Sequence, residues 1–220
     1  ICAIILSDNT VMAGVSSSSD LATVAWPAGA QVLIFDDAEG AILVGATLRS
    51  AGRDTSGPML LDTGAGFLAL DLALAKRLGL ADSAAGSAAV GLAQRPLPRL
   101  ELGSTQMDQV SPVLTVDAGI VRRVTGRPVL GLVGQAILRD RVVVIDYLSR
   151  TLVLLPPGTI GSGGSSWLPD SVLSPEALAV PFRLVADGKI LVRARVVGRT
   201  GHQPTELSLI VDTGATKTAF

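Results

Sequence analysis

The sequence has few of the residues on which common catalytic sites depend. Cysteine occurs once, as Cys2, which excludes an internal disulfide and a zinc site built from several cysteines. Histidine also occurs once, as His202, among turn-forming residues where a structural role is expected. With one histidine and one cysteine, the sequence does not favour a mechanism that combines serine, histidine and aspartate, or one that combines cysteine and histidine. Carboxylates remain as the candidate catalytic groups.

Charged runs and long apolar runs are also absent. The 18 Lys and Arg residues nearly balance the 19 Asp and Glu residues, and no basic cluster could follow a phosphate backbone, so nucleic acid is not expected as a partner. No apolar stretch reaches the roughly 18 residues of a membrane-spanning helix, so no membrane span is predicted in the mature chain. Aromatic residues make up 3% of the chain, which predicts an aliphatic core.

The sequence does contain many short β-type runs separated by turn residues. Residues 29–35 and 41–48 flank the turn DDAEG and predict a hairpin, and residues 141–156 predict another. Further strands are predicted in RLELGS, SPVLTVD and RPVLGLVG. Apolar residues at helical spacing in residues 68–80 predict one short helix. The pattern favours a mainly β fold of closed or sandwiched sheets.

One part of the sequence occurs twice. EGAILVGATL (39–48) aligns with DGKILVRARV (187–196), and each copy leads to Asp-Thr-Gly-Ala, at Asp62 and at Asp212. We call residues 39–65 the first repeat and residues 187–215 the second repeat. A single Asp-Thr-Gly is expected by chance in roughly a few per cent of chains this long, whereas an aligned pair is far rarer. The repeat predicts two structurally similar lobes.

The repeat suggests boundaries along the chain. We expect an N-terminal segment at 1–29, a first lobe at 30–157, a Gly/Ser-rich linker at 158–176 and the start of a second lobe at 177–220. The N-terminal segment resembles the tail of a signal peptide, which favours a secreted or periplasmic protein. The positively charged region of such a peptide is absent, so the compartment stays open.

The chemistry of Asp-Thr-Gly explains why two copies would be useful. An apolar strand delivers the aspartate to a turn, the glycine permits a close approach, and the threonine hydroxyl can bond a facing backbone. Two such turns that meet across a pseudo-twofold axis bring two carboxyl groups within hydrogen-bond distance. Because two like charges that close cannot both ionise, the pair shares a proton. Such a pair can supply a general base and a general acid together.

LLDTGA and LIVDTGA, each after a hairpin, resemble the active-site loops of retropepsin-like aspartic peptidases of the single-chain, two-lobed type. The resemblance implies acid-protease β-barrel lobes and an Asp62–Asp212 catalytic pair. It assigns support of the two loops to Thr63, Gly64, Ala65, Thr213, Gly214 and Ala215. It assigns the family's hydrophobic-hydrophobic-Gly motif to Leu132, Val133 and Gly134, and its flap to Gly86, Ser87, Ala88, Ala89, Val90 and Gly91.

The sequence departs from that family pattern in two ways that affect the expected catalytic pair and the expected second lobe. Gly66 follows the first motif, where such loops often have a small hydroxyl or acidic residue, whereas Thr216 follows the second. We expect this difference to modify the properties of the aspartate pair without abolishing the pair. The chain stops at Phe220, eight residues past Asp212. We therefore expect an incomplete second lobe, which leaves the activity of residues 1–220 by themselves open.

The sequence leaves several functions open. An aspartic endopeptidase would hydrolyse extended polypeptide with no metal or other cofactor, as a pseudo-symmetric monomer. An inactive two-lobed module would bind extended polypeptide by strand addition without cutting it. A homodimer of first lobes is a third arrangement. Asp62 and Asp212 could also be structural turn residues, and Asp36, Asp37 and Glu39 are expected to form a solvated hairpin turn instead of a cation site.

Overall fold

A computed structural model describes residues 3–7, 10–14, 23–50, 53–81, 90–93, 96–107, 112–156, 178–197 and 203–215. Within these ranges the chain is mainly β, as the sequence predicts. The strands are β1 Ala3–Ser7, β2 Thr10–Gly14, β3 Gln31–Ala38, β4 Ala41–Ser50, β5 Arg53–Leu61, β6 Leu68–Asp71, β7 Val90–Leu92, β8 Arg99–Leu102, β9 Thr105–Gln106, β10 Val113–Val116, β11 Gly131–Val133, β12 Val142–Asp146, β13 Thr151–Leu155, β14 Leu178–Leu184, β15 Ile190–Val196 and β16 Thr205–Ile210. The helices are α1 Leu72–Arg77, α2 Gly119–Thr125 and α3 Gln135–Leu138.

The strands form a continuous hydrogen-bonded array. Its order is β16-β15-β14-β2-β1-β12-β13-β3-β4-β5-β11-β6-β10-β7, with β8 on β4 and β9 on β8. Most neighbours are antiparallel, but β11 runs parallel to β5, and β10 runs parallel to β6. Strand β5 is therefore paired on one side with β4 and on the other with β11, and it leads directly into Asp62.

The two repeats adopt the same hairpin in the same register. Leu43 on β4 lies opposite Leu60 on β5, two residues before Asp62. Its counterpart in the second repeat, Leu191 on β15, lies opposite Ile210 on β16, two residues before Asp212. Because a slip of one residue would turn every side chain to the other face, equal register places both aspartates at equivalent ends of equivalent hairpins.

The N-terminal residues join the sheet. Strands β1 and β2 form a hairpin in which Ala3 pairs with Gly14. Strand β1 also pairs with β12, and β2 pairs with β14. The hairpin thereby connects the strands around the first repeat to those around the second. The boundary at residue 29 and the likeness to a signal peptide stay predictions.

The helix predicted over residues 68–80 is shorter than its periodicity suggests. Residues 68–71 are strand β6, buried between β10 and β11, and the helix begins only at Leu72. Asp71 caps it, because its Oδ2 accepts a hydrogen bond of 3.2 Å from the Leu74 N–H. Sheet pairing therefore overrides local helical spacing here. Helices α2 and α3 were not predicted.

The core is aliphatic, as the composition predicts. It extends over both faces of β4 and β5 and includes all of β12 and β13, whose residues are buried throughout. Its largest fully buried side chains are Ile42, Leu48, Met59, Leu61, Leu68, Leu70, Leu74, Leu102, Leu138 and Ile145. Phe35 and Tyr147 add one edge-to-face aromatic pair with ring centroids 5.9 Å apart. This core supports the strand that carries Asp62.

Some predicted features lie outside the described residues. These are the linker at 158–176, Thr216, His202 and most of the expected flap, from Gly86 to Ala89. Val90 and Gly91 lie in β7, which pairs with β10 near one edge of the array. No helix in the described part of the chain is long and apolar enough to cross a membrane.

Candidate active site

Asp62 and Asp212, 150 positions apart in the sequence, lie side by side. Each belongs to a tight turn that follows a strand, β5 for Asp62 and β16 for Asp212. The glycine of each motif faces the other repeat's carboxyl group: a Cβ added to Gly214 would lie 2.6 Å from the Cγ of Asp62, and one added to Gly64 would overlap the carboxyl of Asp212. Glycine is therefore required at both positions for the carboxyls to meet.

The two threonines bind the turns to each other with four hydrogen bonds. The Thr63 hydroxyl donates to the Val211 carbonyl at 2.8 Å, and the Thr213 hydroxyl donates to the Leu61 carbonyl at 2.8 Å. Each hydroxyl oxygen also accepts from the other threonine's N–H, at 3.1 Å and 3.0 Å. Both side chains are buried. The arrangement is twofold symmetric and holds the aspartates beside each other.

Removal of the Thr63 hydroxyl should lower the free energy of unfolding of the protein. In Thr63→Val the buried Val211 carbonyl and Thr213 N–H lose their partner, and each unsatisfied group costs about 1–3 kcal/mol. We expect the free energy of unfolding, measured with urea, to fall by about 2–4 kcal/mol. The matched control is Thr47→Val, because Thr47 bonds Ser56 on the exposed face of β4, where a change within about 0.5 kcal/mol is expected. Equal losses in the two variants would contradict the role of Thr63.

The hydrophobic-hydrophobic-Gly segment lies beside the first turn. Leu132 and Val133 pair in parallel with Leu60 and Leu61, and the Asp62 N–H donates to the Val133 carbonyl at 2.9 Å. A Cβ added to Gly134 would lie 2.5 Å from the Ala65 carbonyl oxygen, so the turn passes directly over this glycine. Strand β11 thereby fixes the backbone of the residue that carries the first carboxyl.

The environment of Asp62 opposes its ionisation. Burial contributes most, and the charge of Asp212 and a hydrogen bond to the Asp212 carboxyl act in the same direction, so that the pKa of Asp62 rises from 3.8 to about 6 in total. The N–H groups of Ala65 and Gly64 oppose this and lower the pKa. Oδ1 of Asp62 is buried, and no group in the described ranges donates to it. The proton shared by the pair is therefore favoured on Asp62.

The Asp212 carboxyl accepts two hydrogen bonds from its own turn. Its Oδ1 accepts hydrogen bonds from the N–H of Gly214 at 2.8 Å and from the N–H of Ala215 at 3.2 Å. Such bonds stabilise a carboxylate. Asp212 is also exposed, whereas Asp62 is partly buried. The sequence, which is the same in the two motifs, gives no sign of this difference.

An apolar cavity of about 340 Å³ opens next to the second turn. Helix α2 supplies one wall through Ile120 and Val124, and Leu60 and Gly214 lie on other sides. Ile120 and Val124 are 62% and 45% exposed, so this wall faces solvent. This surface was not predicted: Ile120 and Val124 have helical i, i+4 spacing, but a segment of seven residues is too short for periodicity to indicate a helix.

Gln135, which follows the hydrophobic-hydrophobic-Gly motif, was not predicted as a site residue. Its side chain is 1% exposed, and its Nε2–H donates to the Thr63 carbonyl at 2.9 Å. Its own N–H donates to the Ala65 carbonyl at 2.8 Å. A lone amide residue within the apolar run GLVGQAIL was the available signal. In the part of the chain that the structure describes, no group of three or more His, Cys, Asp or Glu side chains could hold a metal ion.

Comparisons with known proteins find similarity among solved structures. No family model matches the sequence, and no curated protein is similar enough to count as a relative. Among solved structures, the chain is similar to the crystal structure of a retropepsin-like aspartic protease from Rickettsia conorii, with a TM-score of 0.38 and 19% sequence identity. The similarity covers 57% of this chain and 89% of that one. A likeness of this extent does not establish a family, so the chemistry of the site is inferred from its own geometry.

Proposed function

We propose that the protein is an aspartic endopeptidase in which Asp62 and Asp212 together activate a water molecule to hydrolyse a peptide bond. The observation that carries the proposal is the meeting of the two carboxyls in unequal surroundings. Burial and the neighbouring carboxyl favour a proton on Asp62, whereas the Asp212 side chain is exposed and accepts hydrogen bonds from the N–H groups of Gly214 and Ala215. One proton on the pair provides an acid and a base at once.

In the proposed first step, Asp212 is the base and Asp62 is the acid, an assignment supported by the burial of Asp62. Asp212 takes a proton from the water, whose oxygen forms a bond to the carbonyl carbon of the substrate. Asp62 gives its proton to the carbonyl oxygen, so the intermediate is a neutral gem-diol and the charge stays on the pair. In this state Asp62 is ionised and Asp212 is protonated.

The second step restores the starting state. The amide nitrogen of the substrate receives the proton held by Asp212, the carbon–nitrogen bond breaks, and a hydroxyl proton of the gem-diol returns to Asp62. The products are a carboxylic acid and an amine. Because the pair ends with one proton, as it began, no cofactor enters the proton balance.

The cavity beside α2 supports an apolar preference in the substrate. Its described walls carry mainly aliphatic side chains, with Thr125 as the one polar side chain and no charged group, and it adjoins Gly214, two residues after Asp212. Burial of a leucine-sized or phenylalanine-sized side chain there would contribute about 1.5–3 kcal/mol. We propose that the substrate is an extended polypeptide with a large apolar residue near the cleaved bond.

A charge in the cavity should change substrate preference. We expect Ile120→Asp to lower kcat/KM for a peptide with phenylalanine near the cleaved bond by about 10- to 100-fold, because the wall becomes polar. The same variant should affect an alanine-containing peptide much less. Leu148→Asp, at an equally exposed residue in the β12–β13 turn, is the matched control and should alter neither rate. An equal loss on both peptides would count against the cavity as a binding site.

The proposal is tested most directly with the protein and an unfolded polypeptide. Cleavage at acidic pH that a statine-type inhibitor blocks, and that a metal chelator does not, supports an aspartic endopeptidase. Binding of the polypeptide without any cleavage would favour the inactive binding module. A specific activity that rises with protein concentration, as expected for a dimerisation equilibrium, would favour the homodimer.

A further inference from the structure

The turn that connects β14 to β15 in the second repeat touches the first active-site turn. It is closed by hydrogen bonds from the Gly188 N–H to the Val185 carbonyl at 2.8 Å and from the Val185 N–H to the Lys189 carbonyl at 3.0 Å. A Cβ added to Gly66 would lie 2.5 Å from the Asp187 carbonyl oxygen, so glycine at position 66 is what allows the turn to approach. Gly66 therefore serves contact between the repeats.

The same turn also packs on Gln135. A Cβ added to Gly188 would lie 3.0 Å from the Cβ of Gln135 and 3.6 Å from the Cδ of Arg139. Gly40 holds the equivalent position in the β3–β4 turn, with a φ of 86° against 83° for Gly188, and an added Cβ there would meet no atom of the described residues within 4 Å.

Gln135 acts on a single peptide unit of the active-site turn. Its Nε2–H holds the Thr63 carbonyl oxygen, and that carbonyl shares its peptide plane with the Gly64 N–H. Because the peptide unit is planar, a hydrogen bond that fixes its carbonyl oxygen also fixes the direction of its N–H. The Gly64 N–H is one of the two backbone groups that stabilise the Asp62 carboxylate. A chain of contacts thus leads from the second repeat to the first carboxyl.

We propose that Gln135 is a positioning residue, and that its side-chain amide, held in place by the Val185–Lys189 turn, directs the Gly64 N–H at the carboxylate of Asp62. The inference deepens the proposed function, on which its catalytic meaning rests. It gives the second repeat two tasks: it contributes Asp212, and it maintains the hydrogen bond that eases ionisation of Asp62. Correct docking of the two repeats is thereby coupled to the protonation state of the pair.

The test is the apparent pKa of the Asp62 carboxyl, followed by carbon-13 NMR between pH 3 and pH 8 in the full chain. Gln135→Met keeps the length of the side chain but removes the donor, and we expect the pKa of Asp62 to rise by about half to one unit. The charged groups near this path are Asp212, the Asp187–Lys189 ion pair at 2.6 Å and Arg139. The substitution changes none of them, so a shift would come from the lost hydrogen bond.

Two glycine variants separate positioning from general destabilisation. Gly188→Ala and Gly40→Ala impose the same backbone strain, but only the first presses on Gln135. We expect Gly188→Ala to raise the pKa of Asp62 and Gly40→Ala to leave it unchanged. An unchanged pKa in folded Gln135→Met, or in Gly188→Ala if the first variant fails to fold, would overturn the proposal.

The measurement requires no turnover, so it separates the two proposals. A shifted pKa in a protein that cleaves nothing would support the positioning role and refute the peptidase. Cleavage by a protein whose variants show no shift in the pKa of Asp62 would support the peptidase and refute the positioning role. In an active protein, Gln135→Met should also lower kcat with little change in KM, because the residue contacts neither the substrate nor the reacting atoms.

Discussion

Asp62→Asn and Asp212→Asn are each expected to lower kcat by about 10²–10⁴-fold, because an amide can neither take the proton of the water nor supply one to the carbonyl oxygen. Both substitutions keep the size and shape of the side chain. The twofold-symmetric threonine hydrogen bonds do not involve the carboxyls, so the fold should persist. The measurement is the rate of cleavage of an unfolded polypeptide at acidic pH.

Asp62→Asn should also change how stability depends on pH. The pKa of Asp62 is raised from 3.8 to about 6 on folding, so its contribution to stability is present below about pH 4 and is lost as the pH rises through 6, on the order of 3 kcal/mol in total. Asparagine does not titrate, so the variant should lack this fall. At neutral pH it should be inactive yet more resistant to urea than the natural protein.

Asp54→Asn is a suitable control, since Asp54 lies in an exposed ion pair with Arg49. It should leave both cleavage and the pH dependence of unfolding nearly unchanged. Activity that survives Asp212→Asn would refute a pair formed within one chain. Activity that survives both substitutions would refute the aspartic mechanism itself.

Gly64→Ala is expected to abolish cleavage by a different route. Its Cβ would overlap the carboxyl of Asp212, so the two side chains must separate, and a displacement of about 1 Å can cost a hundredfold in rate. Gly214→Ala should have the same effect, because its Cβ would lie 2.6 Å from the Cγ of Asp62. In both variants the pKa of Asp62 should fall toward its ordinary value, since the contributions of Asp212 weaken with distance.

Gly45→Ala provides the comparison for these glycine variants. Gly45 lies in β4, and a Cβ added there would meet no atom of the described part of the chain within 4 Å. This variant should keep full activity and should be as stable as the natural protein or slightly more stable. Normal cleavage by Gly64→Ala would mean that the carboxyls need not touch.

The sequence predicted those features that depend on short stretches of chain. The alternation around Ile42 and the turn DDAEG predict the β3–β4 hairpin, and the aligned spacing to Asp62 and Asp212 indicates equivalent hairpins, because pattern and turn chemistry are local. The hydrophobic-hydrophobic-Gly segment lies beside the first turn.

The sequence could not predict features that depend on which segments meet. The strand at residues 68–71 has helical spacing, but pairing with β10 and β11 decides its conformation. No neighbour in the sequence explains the glycine at position 66, because the reason for it is the Asp187 carbonyl, which lies against it in the fold. The unequal surroundings of the two aspartates likewise arise from packing, since the tetrapeptides around them are identical.

The hydrogen bonds between Thr63 and Thr213 join residues 150 positions apart, and this has a consequence for synthesis. At about 5–20 residues per second, a ribosome needs about 8–30 seconds to add that length of chain. During this interval the first aspartate exists without its partner, so a nascent chain has no pair of carboxyls. The proposed peptidase therefore cannot cleave polypeptides until its second repeat has left the ribosome, and the order of synthesis delays its own activation.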